Sequence, residues 1–548
     1  MPSYEQLLDS LRNQFPSPVS DPVHDGYVAF SLLRALDQVD SLKSDAPVLG
    51  TPREPDWDAA VEESIAEHGR TTEEVLPELV RCLHGMPIWG HPRSQVNVIA
   101  YPTIASVIGV VLPSLYNPNL CSDESGRGFS EAEVRVTAMI ARLVGYDPAS
   151  VGGLFTFGGT GTLLYGVKLG LERALPGAFQ HGIRDDVVLI ASRQSHYACL
   201  NVAGWLGIGQ QNVLLVETND DNSMNVAHFE QVLCETMSAG RRIAAIIATM
   251  GTTDAFGLDD LAAIRAVRDH VCDELNSDYR PHLHADSVIG WAWSVFRDYD
   301  FHRNPLGFRG RTTRALAAAA NRIRHLTLAD SLGVDFHKTG FTPYISSMLL
   351  VRDRTAFDGI VRRRETMPYL FHSGTYHPGM FSLETSRGAS GVMAALANLL
   401  LLGKEGLRAL LGHAVEMQSV LRETISARPE LSVVNDDNVG PVTLFRAYPD
   451  DVDTFQALSR ELHEESYAES VHRHNELNAR IFDAIQQRAI QGAAIAIGFT
   501  SDCRHNTAGE PINALKSYVL SPFVTELQMR SVVEQVLAAR REILANFG

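Results

Sequence analysis

The chain has 548 residues, of which 45% are hydrophobic and 20% are charged, and its formal net charge at pH 7 is −18. This length exceeds what one simple core covers, so we expect two or three packed parts. The negative charge argues against nucleic acid or an anionic membrane surface as a partner.

Cysteine usage and the absence of targeting patterns in the sequence predict a cytoplasmic protein. The six cysteines are scattered without C-x-x-C spacing, which favours free thiols in a reducing compartment. No apolar run reaches the roughly 20 residues of a membrane-spanning helix. The first residues lack the basic and apolar regions of a secretory signal.

Residues 1–95 are the first of three predicted parts. They are polar and helical in pattern, with proline-rich joints at 16–22 and 46–55. Residues 57–84 predict one amphipathic helix, whose apolar face needs a partner.

Residues 96–400 predict an α/β part, and residues 401–548 a smaller α+β part. In the larger part, short β-rich runs alternate with helical stretches, which indicates βαβ units and a mostly parallel sheet. Ligands bind such sheets beyond the carboxyl ends of the strands. The strand candidates are 187–192, 213–218, 243–250, 282–288, 326–334 and 348–352.

A glycine-rich turn at 158–162 precedes a helical stretch. Gly159, Thr160 and Gly161 would place free backbone N–H groups and a positive helix end where a phosphate can bind. No Gly-Lys-Ser/Thr ending follows, which argues against a nucleotide P-loop. An ordinary glycine turn would look the same in isolation.

Polar residues follow three of the predicted strands. His196 could stack on a planar cofactor, and Thr249 ends its strand as a polar site residue would. Asp286 ends a third strand, and a buried carboxylate there needs a cationic partner such as a protonated pyridine nitrogen. With that proton held, the ring becomes an electron sink for a carbanion at the substrate α-carbon.

Lys338 follows an apolar run on a glycine-containing turn. A lysine there could form a Schiff base with an aldehyde cofactor if its surroundings lower its pKa. His282-x-His284 shares a strand face, but no third metal ligand lies nearby in the sequence, so we expect no metal.

In this order, the segments Gly158–Thr162, Ser195–Tyr197, Ala248–Thr253, His284–Ser287 and Asp335–Lys338 resemble the group II pyridoxal phosphate-dependent amino-acid decarboxylases. That family includes the glutamate, aromatic and bacterial tyrosine decarboxylases. The resemblance spans about residues 91–387. It implies an aspartate-aminotransferase-like fold with a seven-stranded sheet, and a homodimer with its active site at the subunit interface and an N-terminal segment that wraps around the partner.

The resemblance also implies roles for individual residues in decarboxylation of an L-amino acid to an amine and CO2. Lys338 would hold pyridoxal 5′-phosphate as an internal aldimine, and a quinonoid intermediate would follow loss of CO2. The implied cofactor-binding residues are Gly159, Thr160, Gly161, His196, Thr249, Asp286, Ser331 and His337. Ser287 and Val288 stand where the family usually has two alanines, and the effect of this difference on hydrogen bonding at the ring and on the reaction outcome stays open in the sequence.

A segment downstream of the lysine bears on the type of reaction. In the resembling family a mobile loop there carries a tyrosine that protonates the substrate carbon. Tyr369 is our candidate and Tyr376 the second choice, since aldehyde-forming relatives tend to have Phe. Arg387 resembles an active-site arginine, and His91 is a further candidate substrate residue.

Substrate identity stays open in the sequence, and three further functions also fit it. A C–C lyase that releases a phosphorylated aldehyde would need a basic phosphate pocket. Arg362–Arg364 could be misread as one, but this cluster is more typical of a solvated helix or loop face. An aldehyde-forming enzyme on the same scaffold is the second function, and a non-catalytic regulatory homologue is the third. Aromatic residues that could line a substrate pocket or belong to the core are Trp291, Trp293, Phe296 and Tyr101.

Overall fold

The computed structural model describes residues 3–545. The helices before the larger sheet are α1 (Tyr4–Arg12), α2 (Pro22–Asp40), α3 (Trp57–Val61) and α4 (Thr72–Arg81), followed by the short strand β1 (Ser94–Gln95). The prediction of one helix over 57–84 is wrong. Thr71 starts α4 with a capping box, in which Thr71 Oγ1 accepts from the Glu74 N–H and the Glu74 carboxylate accepts from the Thr71 N–H.

The larger sheet has seven strands among the described residues. They are β2 (Gly152–Thr156), β3 (Val187–Ser192), β4 (Val213–Val216), β5 (Arg242–Thr249), β6 (His282–Asp286), β7 (Ser331–Asp335) and β8 (Ser347–Val351). Their order across the sheet is β2-β8-β7-β6-β5-β3-β4. Strands β3 to β7 run parallel, and β8 is antiparallel to both of its neighbours. The predicted α/β class with a mostly parallel seven-stranded sheet is confirmed.

One predicted strand is shifted and another strand was not predicted. The expected strand at 326–334 begins only at Ser331, because residues Arg324–Leu328 form a 3-10 helix. Asp330 lies between this 3-10 helix and β7. Its carboxylate accepts hydrogen bonds from arginines 173, 268 and 352, which form an ion cluster at the end of the helix. The unpredicted strand β2 begins with two glycines, which weaken any strand pattern.

Helices cover both faces of this sheet. They are α5 (Ile104–Tyr116), α6 (Asp123–Gly126), α7 (Gly128–Val144), α8 (Gly159–Ala174), α9 (Ala178–His181), α10 (Ala198–Trp205), α11 (Val226–Ser238), α12 (Leu261–Glu274), α13 (Gly310–Ile323) and α14 (Phe336–Thr339). Helix α8 approaches the sheet so closely that a methyl group on Gly170 would lie 2.2 Å from the Ala244 carbonyl oxygen. The sheet therefore fixes the position of the first turn of α8.

The C-terminal part forms a second sheet of order β1-β11-β12-β10-β9. Its further strands are β9 (Leu431–Val433), β10 (Val442–Ala447), β11 (Ala496–His505) and β12 (Pro511–Tyr518). Its helices are α15 (Ser390–Ser426), α16 (Thr454–His463), α17 (Ala468–Ile490) and α18 (Glu526–Ala545), and Gly403 interrupts α15 with a φ of 56°. The division at 95 and 400 stays a prediction.

Short 3-10 helices complete the secondary structure. They are Gln210–Asn212, Gly290–Phe296, Arg324–Leu328, Arg354–Ile360, Arg364–Thr366, Pro378–Met380 and Glu465–Tyr467. Among residues 3–545, no helix is both long and apolar enough to cross a membrane.

Candidate active site

A cavity of about 260 Å³ lies at the carboxyl ends of β6 and β7. This cavity, which we call the central cavity, brings together most of the residues that the sequence predicts for the site. Those that line it are Gly159, Thr160, His196, Asp286, His337 and Lys338.

The first turn of α8 forms one wall of the central cavity. Gly158 precedes it with a φ of 113°, a conformation that glycine adopts without steric penalty. The N–H groups of Gly161 and Thr162 both bond to the Gly158 carbonyl oxygen. Those of Gly159 and Thr160 come earlier in the helix and have no intrahelical acceptor. They are therefore free to bind an anion at the positive end of α8.

Lys338 lies on the short helix α14, directly after β7. Its Nζ is 3.1 Å from Asp335 Oδ2, and the lysine side chain is largely buried. Burial alone would lower the pKa of Lys338, but the Asp335 and Asp286 carboxylates outweigh it and raise that pKa above its usual value. The chain by itself therefore does not lower this pKa, and Lys338 must lose a proton before it reacts with an aldehyde.

Asp286 ends β6 at the floor of the central cavity. Burial raises the pKa of its carboxyl, against the opposing effects of Lys338 and His196. A cation bound next to Asp286 would thus relieve an unfavourable buried charge. The neighbouring Ser287 hydroxyl donates to the Gly333 carbonyl oxygen at 2.7 Å.

Thr249 ends β5, which is a neighbour of β6, and His196 follows β3, the next strand beyond β5. His196 Nδ1 accepts from the Ala198 N–H at 3.1 Å, and burial lowers the pKa of the imidazole, which leaves it neutral with its proton on Nε2. Thr249 is the register partner of Asp286, and its hydroxyl lies 2.9 Å from Ser195 Oγ. Thr249 therefore stands beside the central cavity without lining it.

His337 lines the central cavity from the same short helix as Lys338. Its Nδ1 lies 3.1 Å from the Ser346 carbonyl oxygen and its Nε2 lies 3.5 Å from Asp335 Oδ2. Its ring packs against that of Tyr344, with 4.1 Å between the ring centroids. These contacts hold the segment that carries the lysine in one orientation.

The structure contradicts the cofactor role of Ser331. This residue begins β7, four positions before Asp335, and it is fully buried. Its hydroxyl lies 2.7 Å from His282 Nε2 and 2.8 Å from His284 Nδ1, inside the sheet. The strand therefore carries Ser331 to the end opposite the lysine.

Arg387 and Tyr376 are also wrong as site residues. Arg387 is buried in an ion pair with Glu133, and its guanidinium also donates to the carbonyl oxygens of Leu120 and Phe155. Tyr376 donates to Glu133 Oε2 at 3.0 Å, and burial raises the pKa of its phenol well above the usual value. Both side chains are held in a buried network that fixes the loop before α15.

Tyr369 and His91 lie outside the central cavity of this chain. Tyr369 is 73% exposed, on a loop that Glu124 holds by accepting the N–H groups of Phe371 and Ser373. His91 Nδ1 accepts from the Arg93 N–H at 3.1 Å. A substrate contact for either residue thus stays a prediction that needs a second chain.

The remaining candidate residues contribute to the packing and hydrogen bonding of the fold. Arg362 donates to the carbonyl oxygens of Gly379 and Ser382, and Arg364 to that of Phe371, so these arginines form no phosphate pocket. The aromatic residues that are buried in the core are Trp291, Trp293 and Phe296.

A second cavity of about 730 Å³, which we call the acidic cleft, contains residues that the sequence analysis did not identify. His196 lines both cavities. Asp254 lies in the cleft, with its Oδ1 2.8 Å from Lys516 Nζ, and Asp502 Oδ1 lies 3.4 Å from His505 Nδ1. Burial and the nearby Asp254 charge raise the pKa of Asp502. Of the four residues Asp254, Lys516, Asp502 and His505, only Asp254 could have been suspected from the sequence, because it directly follows the polar segment that ends at Thr253.

Comparisons with known proteins agree with this geometry. A family model described as the pyridoxal-dependent decarboxylase conserved domain matches residues 56–447, more than two thirds of the chain. The chain belongs to this family. It is thus a pyridoxal phosphate-dependent amino-acid decarboxylase.

Two relatives and one solved structure show how far this decarboxylase resembles known ones. The L-2,4-diaminobutyrate decarboxylase of Rhizobium meliloti (strain 1021) is 26% identical over 72% of this chain and 70% of its own. The L-2,4-diaminobutyrate decarboxylase of Acinetobacter baumannii is 24% identical, and the match covers 83% of this chain and 81% of that protein. The crystal structure of Oryza sativa TDC with PLP and tryptamine has a TM-score of 0.74 and 17% identity, and the match covers 96% of this chain and 100% of that one.

The central cavity of the decarboxylase fits the cofactor. Free N–H groups at the start of α8 suit its phosphate, and the buried Asp286 carboxylate, whose pKa is raised, suits a protonated ring nitrogen. Lys338 lines the same cavity and is the residue that would bind the aldehyde of the cofactor.

Proposed function

We propose that this decarboxylase converts an L-amino acid with a cationic side chain to the corresponding amine and CO2. The observation that carries the proposal is the meeting of Lys338, Asp286 and His196 in one cavity beside the acidic cleft. When bound, pyridoxal phosphate supplies an electron sink for the electrons that the departing CO2 leaves behind.

In this proposal each residue of the central cavity has one task. Lys338 would hold the cofactor through its aldehyde, the group that also receives the substrate amine. Asp286 would hold the proton of the ring nitrogen, and the neutral His196 would pack against the ring. Gly159 and Thr160 would hold the phosphate and so restrict rotation of the ring. Such orientation contributes up to roughly 7–11 kcal/mol in the best intramolecular cases.

We propose that two copies of the chain form the working enzyme. Helix α5 exposes an apolar row that includes Ile104, Ile108, Leu112 and Tyr116. The row is close to the central cavity, because the Thr103 N–H before α5 bonds to the Phe341 carbonyl oxygen, three residues after Lys338. The exposed side chains of Tyr344 and Ile345 also line the cavity, which supports a partner subunit that closes it.

Tyr369 is proposed to donate a proton to the substrate α-carbon in the cavity of the partner subunit. Its exposure in one chain and the anchored loop that carries it support a role in trans. In air-saturated buffer, Tyr369→Phe is expected to form less amine and more aldehyde. Without the proton donor, dissolved dioxygen can oxidise the substrate carbon, which releases aldehyde and ammonia with hydrogen peroxide. Product analysis by mass spectrometry measures this ratio, and unchanged amine formation would remove Tyr369 from its role.

Mixing two variants that are each deficient in amine formation tests the shared site. Tyr369→Phe and Lys338→Ala homodimers, unfolded together and refolded, should regain about a quarter of the wild-type amine-forming sites, since half of the dimers carry one intact site. If Tyr369 acts within its own chain, each mixed dimer has only defective sites and no activity returns.

The acidic cleft supports the choice of substrate class. Four carboxylates line it. Glu217, Asp220 and Asp254 are paired with Arg193, Arg504 and Lys516, whereas Asp502 has, among the described residues, only His505 beside it, at 3.4 Å. A side-chain ammonium would find complementary charge at Asp502. The names of the two relatives, both L-2,4-diaminobutyrate decarboxylases, agree with this choice.

A substrate panel tests this preference. We expect CO2 release from L-2,4-diaminobutyrate to exceed that from L-aspartate and L-tyrosine. Asp502→Asn should raise KM for the diamino acid about three- to tenfold with little change in kcat, because it removes a partly screened charge pair. The surface variant Asp437→Asn should match wild type. Faster turnover of L-aspartate or L-tyrosine would refute the class but leave decarboxylation intact.

A further inference from the structure

A second carboxylate, that of Asp335, lies inside the central cavity. Asp335 is fully buried, and its Oδ1 accepts a hydrogen bond from the Ser347 hydroxyl at 2.6 Å. A methyl group placed on Gly159 would lie 2.8 Å from Asp335 Oδ2. The other oxygen, Oδ2, which lies 3.1 Å from Lys338 Nζ, therefore faces the first turn of α8, where the phosphate of the cofactor is proposed to bind.

The positive charge that compensates Asp335 comes from Lys338. The other titratable groups around Asp335 are His337 on α14, Asp286 at the end of β6, His196 after β3 and Tyr344 before β8. Burial lowers the pKa of both imidazoles, Tyr344 is a neutral phenol, and Asp286 has the same charge as Asp335. Once the Lys338 nitrogen bonds to the cofactor, Asp335 loses its free ammonium partner.

Binding of the cofactor would then place two anions together. A phosphate monoester carries about −1.5 to −2 charges at pH 7, and two adjacent buried anions cannot both stay fully ionised. We propose that Asp335 and the cofactor phosphate share one proton, which is taken from solvent as the cofactor binds. The proton joins the two oxygens in a short charge-assisted hydrogen bond, and no other bond forms or breaks in this step.

This inference rests on the proposed positions of the lysine-bound cofactor and its phosphate, and it has a consequence for affinity. Because the bound state holds one more proton than the free components, the cofactor affinity should fall as pH rises above the phosphate pKa of about 6. In an enzyme with an amide in place of the Asp335 carboxylate, the cofactor affinity would not show this fall with pH.

Proton counting on the wild-type enzyme tests the inference without a variant. Calorimetry at pH 8 in two buffers of different ionisation enthalpy gives the protons taken up per ligand, for pyridoxal phosphate and for pyridoxal. Both ligands carry the same aldehyde, so any protons taken up or released by the reaction at Lys338 cancel when the two uptakes are subtracted. We expect pyridoxal phosphate to take up about one proton more. Equal uptake would overturn the proposal.

A variant gives the second measurement. Asp335→Asn should take up about one proton fewer than wild type when it binds pyridoxal phosphate. The Kd for the cofactor should therefore depend less steeply on pH in the variant, by about one factor of ten for each pH unit. Asp278→Asn, which changes an exposed carboxylate paired with Arg242, should match wild type. Equal pH slopes for wild type and Asp335→Asn would overturn the proposal.

Trapping of the cofactor separates this inference from the proposed function. Borohydride reduction followed by peptide mass spectrometry shows whether the cofactor is attached to Lys338. Attachment with equal proton uptake overturns only the shared proton. A cofactor that is not on Lys338 overturns both.

Discussion

Replacing Lys338 with alanine is expected to abolish decarboxylation, with a fall in kcat of about 10³-fold or more. Lys338 is the lysine of the central cavity, and without its covalent bond the cofactor loses orientation that contributes several kcal/mol. The absorbance of the lysine-bound cofactor should also be lost. Borohydride reduction should leave no cofactor on the peptide that contains residue 338.

A matched lysine variant controls for loss of charge and for folding. Lys168 lies on α8 over the Phe179 ring, away from the central cavity, so Lys168→Ala should keep the cofactor absorbance and near-normal activity. Circular dichroism should be the same for both variants and wild type. A Lys338→Ala enzyme that still forms amine at a wild-type rate would contradict the assignment of this lysine.

Asp286→Asn is expected to lower kcat by about 10²- to 10³-fold, as loss of one preorganised electrostatic contact typically does. The amide cannot carry the negative charge that keeps the ring nitrogen of the cofactor protonated. The electron sink is then weaker, although the cofactor should still attach to Lys338. Steady-state kinetics and the trapping measurement report these two effects separately.

The neighbouring residue supplies the control for Asp286. Ser287→Ala removes a hydroxyl that bonds to the Gly333 carbonyl oxygen, so activity within about twofold of wild type is expected. If Asp286→Asn were as active as Ser287→Ala, the proposed role of Asp286 at the ring nitrogen would be wrong.

The larger sheet was predictable because its central strands are buried on both faces. Continuous apolar runs such as 187–192 and 243–250 therefore appear directly in the sequence. Strand β2 was missed because two glycines begin it, and the break between α3 and α4 depends on a local cap at Thr71. The edge strands of a sheet and the caps of helices depend on a few individual residues, and a periodic pattern of apolar residues does not reveal them.

The central cavity was predictable where its residues directly follow strands. Asp286 ends β6 and Lys338 follows β7, and parallel strands bring such residues to one edge of the sheet. Ser331 failed because the whole length of β7 separates it from Lys338. Arg387 failed because its partner Glu133 is 254 positions away in the sequence. Asp335 was overlooked although it is three positions from Lys338, since only the cavity shows that it faces α8.

The most direct test of the account is product analysis in deuterated water. The cofactor-loaded enzyme is incubated with L-2,4-diaminobutyrate and the other amino acids of the panel, and amine and CO2 are quantified by mass spectrometry. The account predicts equal amounts of CO2 and an amine with one deuterium on the former α-carbon. An aldehyde, a keto acid or cleavage without CO2 from every substrate, with the cofactor attached to Lys338, would contradict it.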